Sequence, residues 1–242
     1  MSESYEYIGN ELDVFKKASN WKSYFAKHIK SALRGDVLEV GSGIGANTPF
    51  LLNASDNILS WTLVEPDKDL LEVAKTELCK DKSNIPFSLN YVNGTIESVF
   101  SKKYDTILYI DVIEHIEDAV AELSEAKTLL KKDGRLIILV PAYQFLFNNF
   151  DRSIGHFRRY NKKMLKGHVH RDLEIKRLFY LDSMGFFAAL LNKWVLKKDI
   201  PTSKNIFLWD KILVPFSKVV DIISFHSFGK SLIGIFANVN SK

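Results

Sequence analysis

The chain has a single cysteine, Cys79, in 242 residues. A lone thiol excludes an intramolecular disulfide and any zinc site built on cysteine pairs, and it fits a reducing compartment. Long apolar runs are also missing: none approaches the ~18 residues that a membrane span needs. The opening Met-Ser-Glu-Ser-Tyr-Glu has neither the basic nor the apolar region of a secretory leader. A soluble, cytoplasmic protein is therefore expected. Excess charge is scarce, since 33 Lys+Arg against 29 Asp+Glu leave only +4. With no basic block, nucleic acid is not an expected partner. What is present is 46% hydrophobic and 26% charged residues. That is enough for a full core and excludes disordered, collagen-like and coiled-coil chains.

Periodicity divides one domain into five parts. Residues 1–34 read as a helical lid, with Leu12, Phe15, Trp21, Phe25 and Ile29 at helical spacing. Residues 35–140 alternate strands (37–40, 59–64, 87–92, 104–110 and 136–140) with helices from Asn47, over 67–79 and from near Asp118. Such alternation predicts an α/β fold, a doubly wound and mostly parallel sheet with right-handed crossovers. Residues 141–182 read as an acceptor-side loop, over 141–160, and a sixth strand at 174–180. Residues 183–230 form a helical cap inserted before the last strand, which lies in 231–242. Its helices fall near 184–197 and 205–225, and Pro215 is expected to kink or split the second.

The segment Gly41-Ser42-Gly43-Ile44-Gly45 closes the first strand and opens a helix. Glycines there let the backbone approach a ligand while helix amides face it, although ordinary strand-to-helix turns use glycine too. Glu65 ends the second strand roughly twenty residues on, where a carboxylate can accept ribose hydroxyls. Glu39, just before the loop, would repel a pyrophosphate but suits the cationic amino end of a methyl donor. A nicotinamide oxidoreductase would also want a Tyr-x-x-x-Lys, which the chain lacks. Asp111 and Val112 at the exit of the fourth strand, with the turn Asn93-Gly94-Thr95-Ile96, would complete the pocket, because ligands bind at the carboxyl ends of such strands.

Four strings occur in order: Glu39 to Gly45, Glu65-Pro66-Asp67, Asp111-Val112-Ile113-Glu114-His115 and Asp133-Gly134-Arg135-Leu136. Together they resemble the motifs of class I S-adenosylmethionine-dependent methyltransferases. The Asp-x-x-Glu-His string is similar to quinone-pathway small-molecule methyltransferases, and Asn20-Trp21 with Gly155 to Tyr160 resembles a bacterial subgroup. The resemblance implies a seven-stranded Rossmann-like sheet with an antiparallel last strand, S-adenosylmethionine as donor and S-adenosylhomocysteine as product. It implies donor contacts at Glu39, Gly41, Ser42, Gly43, Gly45, Glu65, Pro66, Thr95, Ile96, Asp111 and Val112. Gly41 and Gly43 would lie beside the amino-acid part, Glu65 on ribose, and Thr95 and Ile96 at adenine. Many members carry Asp where Asn93-Gly94-Thr95 stands.

Methyl transfer is an in-line displacement, so the protein must position the nucleophile and, for a weak acid, remove its proton. His156 and His115 are the candidates for the proton, and His115 could instead close a turn. Asp151, Arg158, Arg159 and Tyr160 are the candidate acceptor contacts, since guanidinium forks suit a carboxylate or phosphate. Asp151 could equally pair with one of the arginines and hold the loop, within a merely solvated basic turn. Asp111, Glu114, His115 and Asp151 could offer oxygen-rich metal ligands, but no spacing demands a metal and none is expected. In the cap, Phe187, Trp194, Phe207, Trp209 and Phe216 are framed by Lys193, Lys197, Lys198, Lys204, Lys211 and Lys218. That pattern serves packing, an acceptor groove, a dimer contact or membrane-surface contact. The expected activity is methyl transfer to a small-molecule or lipid- or sugar-linked acceptor, apolar or anionic, on oxygen with histidine as base. The alternatives are a non-catalytic donor-binding module and an NAD(P)-dependent oxidoreductase.

Overall fold

The computed structural model describes Tyr7 and residues 11–53, 57–80, 86–196 and 202–239. Most of the first ten residues, and cap residues 197–201 with Lys197 and Lys198, lie outside that set. Strands β1 (Gly35–Val40), β2 (Ile58–Glu65), β3 (Ser88–Asn93), β4 (Tyr104–Ile110), β5 (Leu130–Pro141), β6 (Leu173–Leu181) and β7 (Ser231–Asn238) form one sheet. Its order is β3-β2-β1-β4-β5-β7-β6. The first five strands run parallel, and β7 lies antiparallel between β5 and β6. This is the doubly wound α/β sheet that the strand–helix alternation predicts.

Helices cover both faces. They are α1 (Glu11–Phe15), α2 (Ser19–Ile29), α3 (Thr48–Leu52), α4 (Lys68–Lys80), α5 (Ala119–Leu129), α6 (Asn149–Ser153), α7 (Lys162–His168), α8 (Ser183–Leu191), α9 (Ser203–Leu208) and α10 (Val214–Ile223). The strand period of two sorts the core between them. Val37, Leu63, Leu108 and Ile137 pack with α2, α4 and the cap, while Leu38, Val64, Ile107 and Ile138 pack with α5 and α7. Strands buried on both faces need unbroken apolar runs, which β4 and β5 carry. Asp118 caps α5 by accepting the Ala121 N–H at 3.0 Å.

Three features differ from the periodicity reading. Helix α2 is a wall of the core, because Trp21, Phe25 and Ile29 are buried with Val37 and Trp61; α1 is the part nearer a lid. The 141–160 stretch contains α6, started by a capping box in which Asn148 and Asp151 exchange side-chain-to-backbone bonds. Pro215 falls in the first turn of α10, where its missing N–H is tolerated, and the interruption is a π-helical turn at Trp209–Leu213 just before it. Among the described residues, no helix is long and apolar enough to cross a membrane.

Candidate active site

A cavity of about 530 Å³ opens at the carboxyl ends of β1, β2, β4 and β5, lined there by Val40, Glu65, Ile110 and Pro141. Its floor is the glycine loop. Gly41 sits at φ +67°, and a Cβ on it would lie 2.7 Å from Val112 Cγ2. Glycine is required there by both backbone conformation and space. Glu65 locks the loop: Oε2 accepts the Gly43 N–H at 2.8 Å and Oε1 accepts the Asp67 N–H at 3.0 Å. Burial raises the Glu65 carboxyl above its ordinary range, against the pull of those two N–H groups. Asn93 donates to the Glu65 and Pro66 carbonyls at 3.0 and 2.9 Å, which brings Gly94, Thr95 and Ile96 to the wall.

Gly41, Ser42, Gly43, Glu65, Pro66, Thr95, Ile96, Asp111 and Val112 all line this cavity. Glu39 and Gly45 stand outside it. The pleat sends Glu39 to the face opposite Val40, where its Oε2 accepts from Thr48 Oγ1 at 2.9 Å and Trp61 Nε1 at 2.8 Å. Burial lifts its carboxyl to about 7 despite both bonds. It therefore anchors α3 to the sheet from outside the cavity lining. Gly45 instead packs over Ala74 of α4.

On the opposite wall the rings of His115 and His156 meet edge-to-face, with centroids 4.4 Å apart. His156 Nδ1 is 2.9 Å from Asp151 Oδ1. Arg159 Nε donates to both Asp151 oxygens at 2.9 and 3.0 Å, and the Asn148 N–H reaches Oδ2 at 2.9 Å. Burial alone would raise the Asp151 carboxyl, but its bonds from His156, Arg159 and Asn148 outweigh that and hold it below the usual range. An anionic Asp151 keeps the proton on Nδ1 and leaves Nε2 as the acceptor. His115 is pushed down to about 3 by burial and then by its neighbour His156, so it is neutral.

Acids and cations crowd the same corner. Neither oxygen of buried Glu114 finds a hydrogen-bond partner beyond its own amide, although Oε1 lies 3.9 Å from His156 Nε2, and burial, then the charge of Asp111, pushes its carboxyl well above the ordinary range. Asp111 is exposed toward the cavity, and the protein around it lifts its carboxyl to about 7 against the pull of Lys230. Lys230, which sequence reading missed, lies over the Trp209 ring at 4.7 Å from its centroid. Burial lowers the Lys230 ammonium pKa, and Asp182, Asp111 and Asp151 oppose that. Arg159 Nη1 is buried and carries no hydrogen bond. Glu114, His115 and His156 offer ligand atoms within 4.8 Å of one another, a set that could hold a divalent cation. Asp151 is already committed to Arg159 and His156.

Two candidate acceptor contacts do not reach the cavity. Arg158 donates to the Ile116 and Glu117 carbonyls at 2.9 and 2.7 Å. Tyr160 is fully buried, with its OH 3.3 Å from the Ile113 carbonyl. Both hold the loop against the turn after β4, leaving Arg159 and Asp151 at the site. Further wall residues came from outside the motifs: Leu12, Phe15, Trp209 and Lys230.

A parallel sheet with one antiparallel strand, a glycine loop and a pocket at the strand ends defines the class I methyltransferase architecture. Residues 38–136 match the methyltransferase-domain family. The chain is 28% identical over 151 residues to the ubiquinone biosynthesis O-methyltransferase of Actinobacillus pleuropneumoniae serotype 7, covering 52% of this chain and 62% of that protein. It is 26% identical over 200 residues to the Rickettsia typhi protein of the same name, covering 76% of this chain and 77% of that one. A methyltransferase solved with the Haloferax volcanii Trm112 activator shares the fold, with a TM-score of 0.63 at 15% identity over 96% of this chain and 95% of that one. Over residues 38–136 the chain carries a match to the methyltransferase domain, and it is similar to class I S-adenosylmethionine-dependent methyltransferases, those of quinone pathways among them. S-adenosylmethionine is its cofactor. The lining suits that molecule: the backbone is bare at Gly41 and Gly43, and the buried Ser42 hydroxyl has no partner of its own.

Proposed function

We propose that the protein methylates an oxygen of a small or lipid-linked acceptor, with His156 as general base. Gly41, Gly43, Glu65, Thr95 and Ile96 would hold S-adenosylmethionine, which would supply an electrophilic methyl group. The chain's own part is to orient the acceptor, take its proton and exclude water. The observation that carries this reading is the His156–Asp151 pair opening on the same cavity as the glycine loop. Asp151, kept anionic by Arg159, stabilises the imidazolium that forms when His156 Nε2 takes the proton. His115 is neutral and fixes the face of the His156 ring. Arg159 Nη1 and Lys230 provide cationic groups for an anionic or oxygen-rich acceptor head, and Leu12, Phe15 and Trp209 provide an apolar wall. The relatives' names, ubiquinone biosynthesis O-methyltransferase, support an oxygen nucleophile.

The test is calorimetric titration with S-adenosylhomocysteine, followed by incubation of methyl-labelled donor with phenols and alcohols bearing carboxylate or isoprenoid substituents. Micromolar product binding and label on an acceptor oxygen are expected. Label on carbon or nitrogen would overturn the oxygen assignment. Binding without transfer to any acceptor would favour a non-catalytic module.

A further inference from the structure

Helix α10 is built inside out. Its polar residues Ser217 and Asp221 are fully buried, whereas Phe216, Val219, Ile222 and Ile223 are 58 to 70% exposed. Hydrogen bonds fix this orientation. Ser217 Oγ accepts the Met184 N–H at 3.0 Å and donates to Asp182 Oδ1 at 2.8 Å. Asp221 accepts the Asp182 and Ser183 N–H groups at 2.8 and 2.9 Å and the Tyr24 hydroxyl at 2.9 Å. The polar side of α10 is thus spent on the start of α8, and only its apolar side is left outside. Helix α8 and the turn after it extend the surface with Phe187, Leu191 and Trp194, spaced along one helical face and all at least half exposed. A helix facing water shows the opposite pattern, and a contiguous exposed apolar patch marks an interaction surface.

Charge selects the occupant. Among the described residues of 183–229, the acidic side chains are Asp210 and Asp221, and both are buried. Lys193, Lys204, Lys211 and Lys218 lie at or near the surface of the same segment; Asp210 pairs with Lys211 at 3.1 Å, and no described carboxylate of the segment pairs with the other three. A second copy docked on this face would set lysines against lysines. Anionic lipid headgroups would neutralise them, at roughly 1 kcal/mol per Lys near such a surface. Exposed tryptophan beside lysine is also a composition suited to the interfacial layer.

We propose that the outer face of α8 and α10 docks on an anionic lipid bilayer surface, with its apolar side chains in the headgroup–acyl boundary and its lysines at the lipid phosphates. The same helical run turns Trp209 into the cavity, so docking holds the site at the membrane. The docking surface does not rest on the methyl-transfer reading.

The experiment is flotation of the full chain with vesicles of equimolar phosphatidylcholine and phosphatidylglycerol, or of phosphatidylcholine alone, at low and high salt. The protein is expected to float with the anionic vesicles only, less so at high salt. A double variant, Phe216→Asp with Ile223→Asp, changes exposed positions and is expected to lower partition roughly tenfold or more. Its affinity for S-adenosylhomocysteine should stay unchanged, which separates loss of docking from loss of fold or donor site. A wild-type protein that stays in solution with anionic vesicles, or a double variant that floats equally well, overturns the proposal. So does sedimentation showing a wild-type dimer that the double variant turns into monomer, since a second copy would then cover the face.

Discussion

His156 Nδ1 and Asp151 Oδ1 lie 2.9 Å apart, and Arg159 closes on the same carboxylate from its other side. The histidine's tautomer is thereby set by a residue five positions earlier in the chain. Asp151→Asn removes the charge that stabilises an imidazolium and lets an amide N–H face Nδ1. A fall in kcat of about 10²–10⁴ is expected, with S-adenosylhomocysteine affinity unchanged. His156→Ala should fall by a similar factor, and the double variant by little more, because the pair acts as a unit. Steady-state kinetics beside calorimetry decides it; wild-type kcat in Asp151→Asn would remove the pair from proton transfer.

Glu65 holds the glycine loop at the wall of the cavity. Both its oxygens accept backbone N–H groups, and a glutamine there must turn a donor toward one of them. Glu65→Gln is expected to weaken S-adenosylhomocysteine by about tenfold or more, or at least about 1.4 kcal/mol. Calorimetric titration measures this directly, and an unchanged Kd would take Glu65 off the donor site.

Gly41→Ala combines a left-handed backbone with a Cβ 2.7 Å from Val112 Cγ2. The conformation alone costs about 1–2 kcal/mol for a non-glycine residue. Melting should therefore shift down and donor binding should weaken. Adding Val112→Ala removes the clash and leaves the backbone cost, so partial recovery of Tm is expected. No recovery would mean that Val112 is not the obstacle.

The sheet was readable because β4 and β5 are unbroken apolar runs and the helices between strands carry clear stripes. Cavity residues were readable where they close strands, as Gly41, Glu65 and Asp111 do, since strand ends converge on the pocket whatever the loops do. Lys230 was not. It becomes a wall residue only because β7 inserts antiparallel beside β5, which brings its first residues back to the carboxyl ends of the parallel strands. In the irregular segment after α6, no period distinguishes inward Arg159 from Arg158 and Tyr160. Two signals were present and unused. Alternation along β1 puts Glu39 on the face of Val37, away from Val40, and Asn148-x-x-Asp151 spells the start of α6.

Lys230 also yields a measurable consequence. Its ammonium lies among Asp182, Asp111 and Asp151, all of which favour the charged form against burial. Lys230→Met keeps the stem over Trp209 and removes the charge. If the ammonium holds an anionic acceptor head, KM for that acceptor should rise about tenfold or more, with kcat changed much less and donor affinity retained. Paired assays with an acceptor and its methyl ester check this; an equal KM rise for both would assign Lys230 to packing.

Glu39 makes stability depend on pH. Its carboxyl titrates near 7 in the folded protein, against an ordinary value of 4.5. Between those values the native state holds a proton that the unfolded chain has lost. Stability from this group is therefore full below the lower value, falls as pH rises through the window, and levels off above the upper one. Glu39→Gln keeps an oxygen for Thr48 and Trp61 and has nothing to titrate. Urea unfolding from about pH 5 to pH 8 should show the wild type losing about 2–3 kcal/mol relative to Glu39→Gln. At the upper end the variant should be the more stable protein. Parallel profiles would mean that Glu39 stays ionised beneath the sheet, with Thr48 and Trp61 holding its charge.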